Sequence, residues 1–99
     1  MQENIELDIR DKQAFKILSA QRNVFMRDLI VREAREILSE GLPIPTVERK
    51  DNRTSLIINI STSLKDEVKD YCEMEDVRIR DFWVECIRRS IERYSDESI

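Results

Sequence analysis

The apolar positions between residues 54 and 71 change period partway along. Leu56, Ile58 and Ile60 alternate with Ser55, Ile57, Asn59 and Ser61. The next apolar positions, Leu64, Val68 and Tyr71, lie three or four residues apart. A period of two marks a strand with one buried face, and a period near 3.6 marks an amphipathic helix. The segment reads as a strand over 55–60 running into a helix over 63–74, with Ser63 as N-cap and Asp66 three residues on. A second helix follows over 79–94. Its stripe is Phe82, Trp83, Cys86, Ile87, Ser90, Ile91 and Tyr94, with Trp83 and Tyr94 read as core, and the tail 95–99 is expected to fray.

The first half carries the same order of periods. Ile5, Leu7 and Ile9 alternate over 4–10, and Ala14, Phe15 and Leu18 share one face of a helix over 11–22. Leu29, Ile30, Ala34, Ile37 and Leu38 form the stripe of a helix over 26–39. Gly41 suits the residue just past that helix, and Pro43 and Pro45 stop its continuation. Residues 42–52 then read as an extended connection.

The halves align at an offset of 53. Arg27, Asp28, Leu29 and Ile30 fall on Arg80, Asp81, Phe82 and Trp83. Val24 falls on Val77, Phe15 on Val68, Leu18 on Tyr71, Ile5 on Ile58 and Leu7 on Ile60. Asp11 stands against Leu64 and Ile9 against Thr62, which leaves room for the first strand to sit two residues out of that offset. A slip of two does not change which face is apolar.

One strand with two helices cannot bury its apolar face, and both strand edges stay open. Two such units solve both problems together, with the strands paired above four interlocked helices. The expected fold class is mainly α with a short antiparallel β-ribbon, β-α-α twice, pseudo-dimeric. Ile5, Leu7, Ile9, Leu56, Ile58 and Ile60 are expected to seal the core. The expected units are 1–41 and 54–99, joined by a linker over 42–53 that spans up to about 40 Å when extended. Pairing of each half with its counterpart on a second chain is the competing assembly.

Composition narrows the possible chemistry. The chain is 38% charged and 40% hydrophobic, with one glycine and two prolines, which suits long regular elements. No apolar run approaches the roughly 18 residues of a membrane span. The acidic, patterned start over 1–13 is unlike a signal or transit peptide, so the expected location is cytoplasmic, with no membrane partner. Cys72 and Cys86 are the only cysteines and there is no histidine. Two thiols without imidazole make a poor zinc site, and both lie on helix stripes as small hydrophobes. There is no glycine-rich phosphate loop and no nucleophile–base pair, so no enzyme, cofactor or small-molecule substrate is implied. Carboxylates sit at helix-surface spacing, as with Glu33 beside Arg32 and Glu36, or Asp66 beside Lys69. That spacing marks an ion-paired surface.

The formal net charge of −4 argues against general affinity for nucleic acid, yet a local basic patch matters more than the sum. Residues 54–99 hold eleven acids and seven bases, against eight and seven in 1–41 and two and three in 42–53. The acid surplus sits largely on the first helix of the second half, at Asp66, Glu67, Asp70, Glu73, Glu75 and Asp76.

The strand, then S-x-S-L-x-x-x-V from Ser61 to Val68, then a helix opening on R-D-[FL]-[WI], resembles the ribbon-helix-helix family (Arc, MetJ and relatives). The likeness spans 54–94 and, more loosely, 4–39. Two copies in one chain are similar to the relaxosome accessory proteins of the TraY type. The resemblance implies double-stranded DNA as partner, with the ribbon in the major groove. Carried over by position, the base-contacting residues are Ser55, Ile57 and Asn59 on the second strand and Asn4, Glu6 and Asp8 on the first, with Arg10 at its end. Asn59 and Asn4 suit adenine, Ser55 either base type, and Ile57 a thymine methyl. Phosphates would be anchored at the N-terminus of each second helix, at Met26 and Arg27, and at Ile79 and Arg80 with Arg78 just before. Lys50 and Arg53, with Arg49, precede the second strand, either as further phosphate contacts or as a solvated linker. Arg88, Arg89 and Arg93 are assigned to a solubilising helix face.

Glu6 and Asp8 depart from the family, whose outer face normally carries Arg, Lys, Thr, Asn or Gln. Three readings stay open. The carboxylates accept from cytosine amino groups, with Arg10 neutralising one. The first strand is only a structural partner of the second. Or the whole outer face recognises protein. The expected function is a sequence-specific repressor or regulator of a plasmid, phage or similar element. A relaxosome accessory role uses the same physics. The rival is a protein-binding module or antagonist on the same fold. The resemblance also implies self-association into dimers or larger assemblies.

Overall fold

Alternating side chains dictate which strand faces meet. In the computed structural model, which describes residues 2–48 and 52–97, the chain runs β1 (Gln2–Asp8), α1 (Ile9–Arg22), α2 (Met26–Glu40), β2 (Arg53–Asn59), α3 (Thr62–Glu75) and α4 (Ile79–Glu97). It is mainly helical, with one antiparallel sheet in which β1 pairs β2 within the chain. The register sets Gln2 opposite Asn59, Ile5 opposite Leu56 and Asp8 opposite Arg53. Ile5, Leu7, Leu56 and Ile58 line the inner side and are buried, as is Ile60 just past β2. Gln2, Asn4, Ser55, Ile57 and Asn59 stand exposed on the outer side.

Helix caps fix where the strands end. Asp8 is extended, and its side chain accepts a hydrogen bond from the Arg10 N–H at 2.7 Å. A short carboxylate that satisfies a free donor of the first turn starts a helix there. The strand expected over 4–10 therefore lies two residues earlier. Ile9, expected on the inner face, opens α1 and is 42% exposed. Arg10 sits in the first turn of α1 and not at the strand end. In the second half the cap is Ser61, two residues before the expected Ser63. The Ser61 hydroxyl accepts from the Leu64 N–H at 3.2 Å. Gly41 closes α2 as expected, at φ 65°, its N–H donating to the Ile37 carbonyl at 2.9 Å. Asn23 and Asp76 close α1 and α3 in the same left-handed conformation, which short polar side chains tolerate.

The core gathers around α4, which packs against α1, α2, α3 and β1. Phe82, Trp83, Val84, Cys86 and Ile87 are all buried, against Phe15, Leu29, Ile30, Ala34, Ile37, Leu64 and Val68. The Phe82 and Trp83 rings meet edge to face at 5.3 Å. The helix continues to Glu97, past the expected end at 94. Among the described residues, no helix is long and apolar enough to cross a membrane.

The connection after α2 is a strap, not a free linker. Pro43 and Pro45 face solvent while Leu42 and Ile44 pack against the core and Val47 is buried in it. The Leu42 carbonyl accepts from the Tyr71 hydroxyl at 2.5 Å, and the Asn52 carbonyl from the Ile9 N–H at 2.9 Å. Arg53, expected in the linker, is the first residue of β2.

Charged side chains also depart from the expected surface pattern. Glu33 is 1% exposed and pairs across helices with Arg93 at 3.0 Å and Arg89 at 3.8 Å. Glu36 binds the same two arginines. Arg88 reaches Asp11 at 3.2 Å, and Arg35 reaches Glu67 at 2.7 Å. Arg88, Arg89 and Arg93 are thus inter-helix ties rather than a solubilising face.

Two substitutions check these assignments. Ser61→Ala should cost about 1 kcal/mol, or roughly 4–8 °C in a thermal melt. Ser63→Ala should change stability by only a few tenths. Glu33→Ala should cost about 2 kcal/mol in a urea melt, less than the ~3–5 of a fully buried pair because both arginines reach water.

Candidate nucleic-acid interface

The outer side of the ribbon presents four rows: Gln2 with Asn59, Asn4 with Ile57, Glu6 with Ser55, and Asp8 with Arg53. The six expected base-contacting residues of the two strands all belong to this side. The rows differ in chemistry. Gln2, Asn4, Ile57 and Asn59 carry no charge, whereas the other end holds two carboxylates and a guanidinium. Glu6 accepts from Arg53 at 2.8 Å, so the cation that neutralises it is Arg53 and not Arg10. At roughly two-fifths exposure such a pair adds little stability, but it does cancel the local charge. Asp8 is engaged as the α1 cap.

Both ribbon edges are covered by cations. Arg80 donates through Nε to the Glu6 carbonyl at 3.1 Å, and Lys12 donates through Nζ to the Ser55 carbonyl at 2.6 Å. These bonds occupy outward carbonyls that would otherwise invite a further strand.

The N-termini of α2 and α4 have different surroundings. Phe25 caps α2 with no side-chain acceptor, although its carbonyl takes the Asp28 and Leu29 N–H groups. Arg27 beside it is 58% exposed and bonds only loosely to its neighbour Asp28, at 3.3 Å. Phe25, Met26, Arg27, Ile57, Ile58 and Asn59 line one shallow groove of about 350 Å³. The fold therefore places the expected phosphate residues Met26 and Arg27 next to the expected base residues Ile57 and Asn59. At α4 the strap intervenes. Arg78 and Arg80 both donate to the Val47 carbonyl, at 3.0 and 3.2 Å, and both pair with the buried Asp81. Arg80 is 15% exposed and thus largely committed to these bonds, while Ile79 remains partly exposed. Lys50, together with Arg49, lies outside the described residues.

Two residues of this surface were missed from sequence. Gln2 extends the alternation of Asn4 and Glu6 by one step, and the offset of 53 sets it against Ser55. Phe25 is 76% exposed at a position where Ser, Thr, Asp or Asn is the ordinary choice. That mismatch was the available clue.

The C-terminal acids of α3 stand apart from the ribbon, while Asp66 and Glu67 lie in the first two turns of that helix. Glu73, Glu75 and Asp76 lie at the far end of α3, roughly 20 Å along its axis from the end nearest the ribbon. That exceeds the ~8 Å Debye length of physiological salt. Burial and the nearby Asp81 charge push the Cys72 thiol up to about 11. Burial with the Glu33 charge also pushes the Cys86 thiol well above its usual range, so both stay protonated. Comparison of the chain with protein-family models, curated proteins and solved structures finds no match.

Proposed function

We propose that the protein is a sequence-specific double-stranded DNA-binding regulator, built as two ribbon-helix-helix units in one chain. The observation that carries the reading is the exposed outer side of the ribbon beside an α2 terminus with no side-chain cap. There Asn59 and Ile57 share a groove with Phe25, Met26 and Arg27. A two-stranded ribbon fits the major groove, asparagine pairs with adenine, and an apolar side chain meets the thymine methyl. The N–H groups of the first α2 turn and Arg27 would clamp a phosphate at the positive end of the helix dipole.

Equivalent landmarks support the two-unit reading. The caps Asp8 and Ser61, the left-handed Asn23 and Asp76, and the starts of α2 and α4 all recur at an offset of 53. Arg35 and Arg88, also 53 apart, each cross to the first helix of the other half. In the sheet, Asn4 and Ile57, also 53 apart, face each other. Occupying a promoter or operator in this way suffices for repression, whether the element is a plasmid, a phage or similar. The same contact serves a relaxosome accessory role.

The rival, a protein-binding module on the same fold, draws on the carboxylates Glu6, Asp8 and Glu48 near one end of the ribbon. Salt separates the two. With two to four phosphates neutralised, affinity for random duplex should fall roughly 10- to 150-fold between about 50 and 200 mM salt. No duplex binding at the lower concentration would sink the proposal. Asn59→Ala should weaken binding to a selected sequence by about 1–3 kcal/mol and relax the preference, with a smaller effect on random duplex. Unchanged preference and affinity would remove Asn59 from the interface.

A further inference from the structure

Two independent asymmetries of the ribbon fall on the same end. The first concerns hydrogen-bonding chemistry. Gln2, Asn4 and Asn59 occupy two adjacent rows around Ile57, and the other two rows contain no amide at all. Amide side chains pair bidentately with the N6 and N7 of adenine, and exposed apolar groups pack on the thymine methyl. Ile57 is 61% exposed and Phe25, across the groove, 76%. A neutral cluster of amides around two exposed apolar side chains is complementary to A·T pairs, and Arg27, the cation of the same groove, stands at the helix terminus where it suits a phosphate.

The second asymmetry concerns the phosphate field. The neutral end adjoins the α2 terminus, where Arg27 is exposed. The charged end holds Glu6, bound to Arg53, and Asp8, which shares a small cleft with Glu48 and with Arg53, Arg80 and Arg88. The α4 terminus on that side has its two arginines tied to the Val47 carbonyl and Asp81. Each guanidinium at this end is bonded to a carboxylate or a main-chain carbonyl, so clamping a phosphate there would break bonds within the fold, whereas Arg27 has only its loose contact with Asp28.

We infer that the ribbon reads DNA from one end. Gln2, Asn4, Ile57 and Asn59, flanked by Phe25, recognise an A·T-containing core, while the Glu6–Asp8–Arg53 end takes no base. The inference rests on the DNA-binding reading above and goes beyond it in naming the base class and the geometry of the site. Adjacent rows on one strand face are about 7 Å apart. At a rise of about 3.4 Å the two neutral rows cover a core of about two to three base pairs. The preferred sequence is non-palindromic, despite the two halves of the chain.

The test uses the full chain in a selection from random duplex, followed by thymine-to-deoxyuridine replacement within the selected core. That replacement removes only the C5 methyl. The expected result is one A·T-containing core without an inverted copy. At least one core uracil should then lower affinity about three- to fivefold, an effect lost in Ile57→Ser and retained in Glu6→Gln. Ile57 and Glu6 both reach solvent, so these variants should keep the wild-type melting curve. A palindromic motif, or a preference shifted by Glu6→Gln and indifferent to uracil, overturns the one-ended inference while leaving DNA binding intact. No binding to any duplex at low salt overturns both.

Discussion

β1 and β2 each carry one apolar face and one polar face, and neither face is useful until the strands pair. Pairing brings Ile5 and Leu7 together with Leu56 and Ile58 as a lid over the helices. It also fixes which residues are left outside, because a one-residue slip would exchange the two faces completely. The caps at Asp8 and Ser61 then set the points where the chain leaves the sheet. Every later feature, from the burial of α4 to the groove beside Phe25, depends on that register.

Around this lid, long-range charge and chain entropy do separate jobs. Glu33 and Glu36 hold α4 to α2 through Arg89 and Arg93. The prolines of the strap keep Leu42 and Ile44 turned inward at little entropic cost, and Val47 ends up in the core. The strap also gives Arg78 and Arg80 their acceptor. The two helix termini nearest the ribbon therefore differ even though their sequences align. At one, Arg27 has only its neighbour Asp28 as partner, and at the other Arg78, half exposed, and Arg80 are bonded to the strap and to Asp81.

Periodicity made much of this legible from sequence. The alternation at Ile5, Leu7, Leu56 and Ile58, the stripes of α2 and α4, and the Gly41 cap all follow from local spacing. The outer residues Asn4, Glu6, Ser55, Ile57 and Asn59 follow from the same alternation. What escaped depended on distant partners. Glu33 looks like a surface carboxylate until Arg93, sixty residues on, is folded against it. Arg53 looks like linker until its pairing with Asp8 places it in β2. Ile9 continues the strand alternation perfectly, yet Asp8 turns the chain into a helix one residue earlier. Ser61 and Ser63 are equally good caps by composition, and the burial of Ile60 and Leu64 selects between them.

On our proposal, the exposed side of the ribbon, together with the α2 terminus, is the surface that meets DNA. Backbone amide shifts recorded while a selected duplex is added to the labelled chain address it residue by residue. The largest changes are expected at Gln2, Asn4, Phe25, Arg27, Ile57 and Asn59, with the α3 amides from Glu67 to Glu75 unmoved. Changes confined to α3, or to the α2–α3 side around Met74, with the ribbon silent, would contradict it.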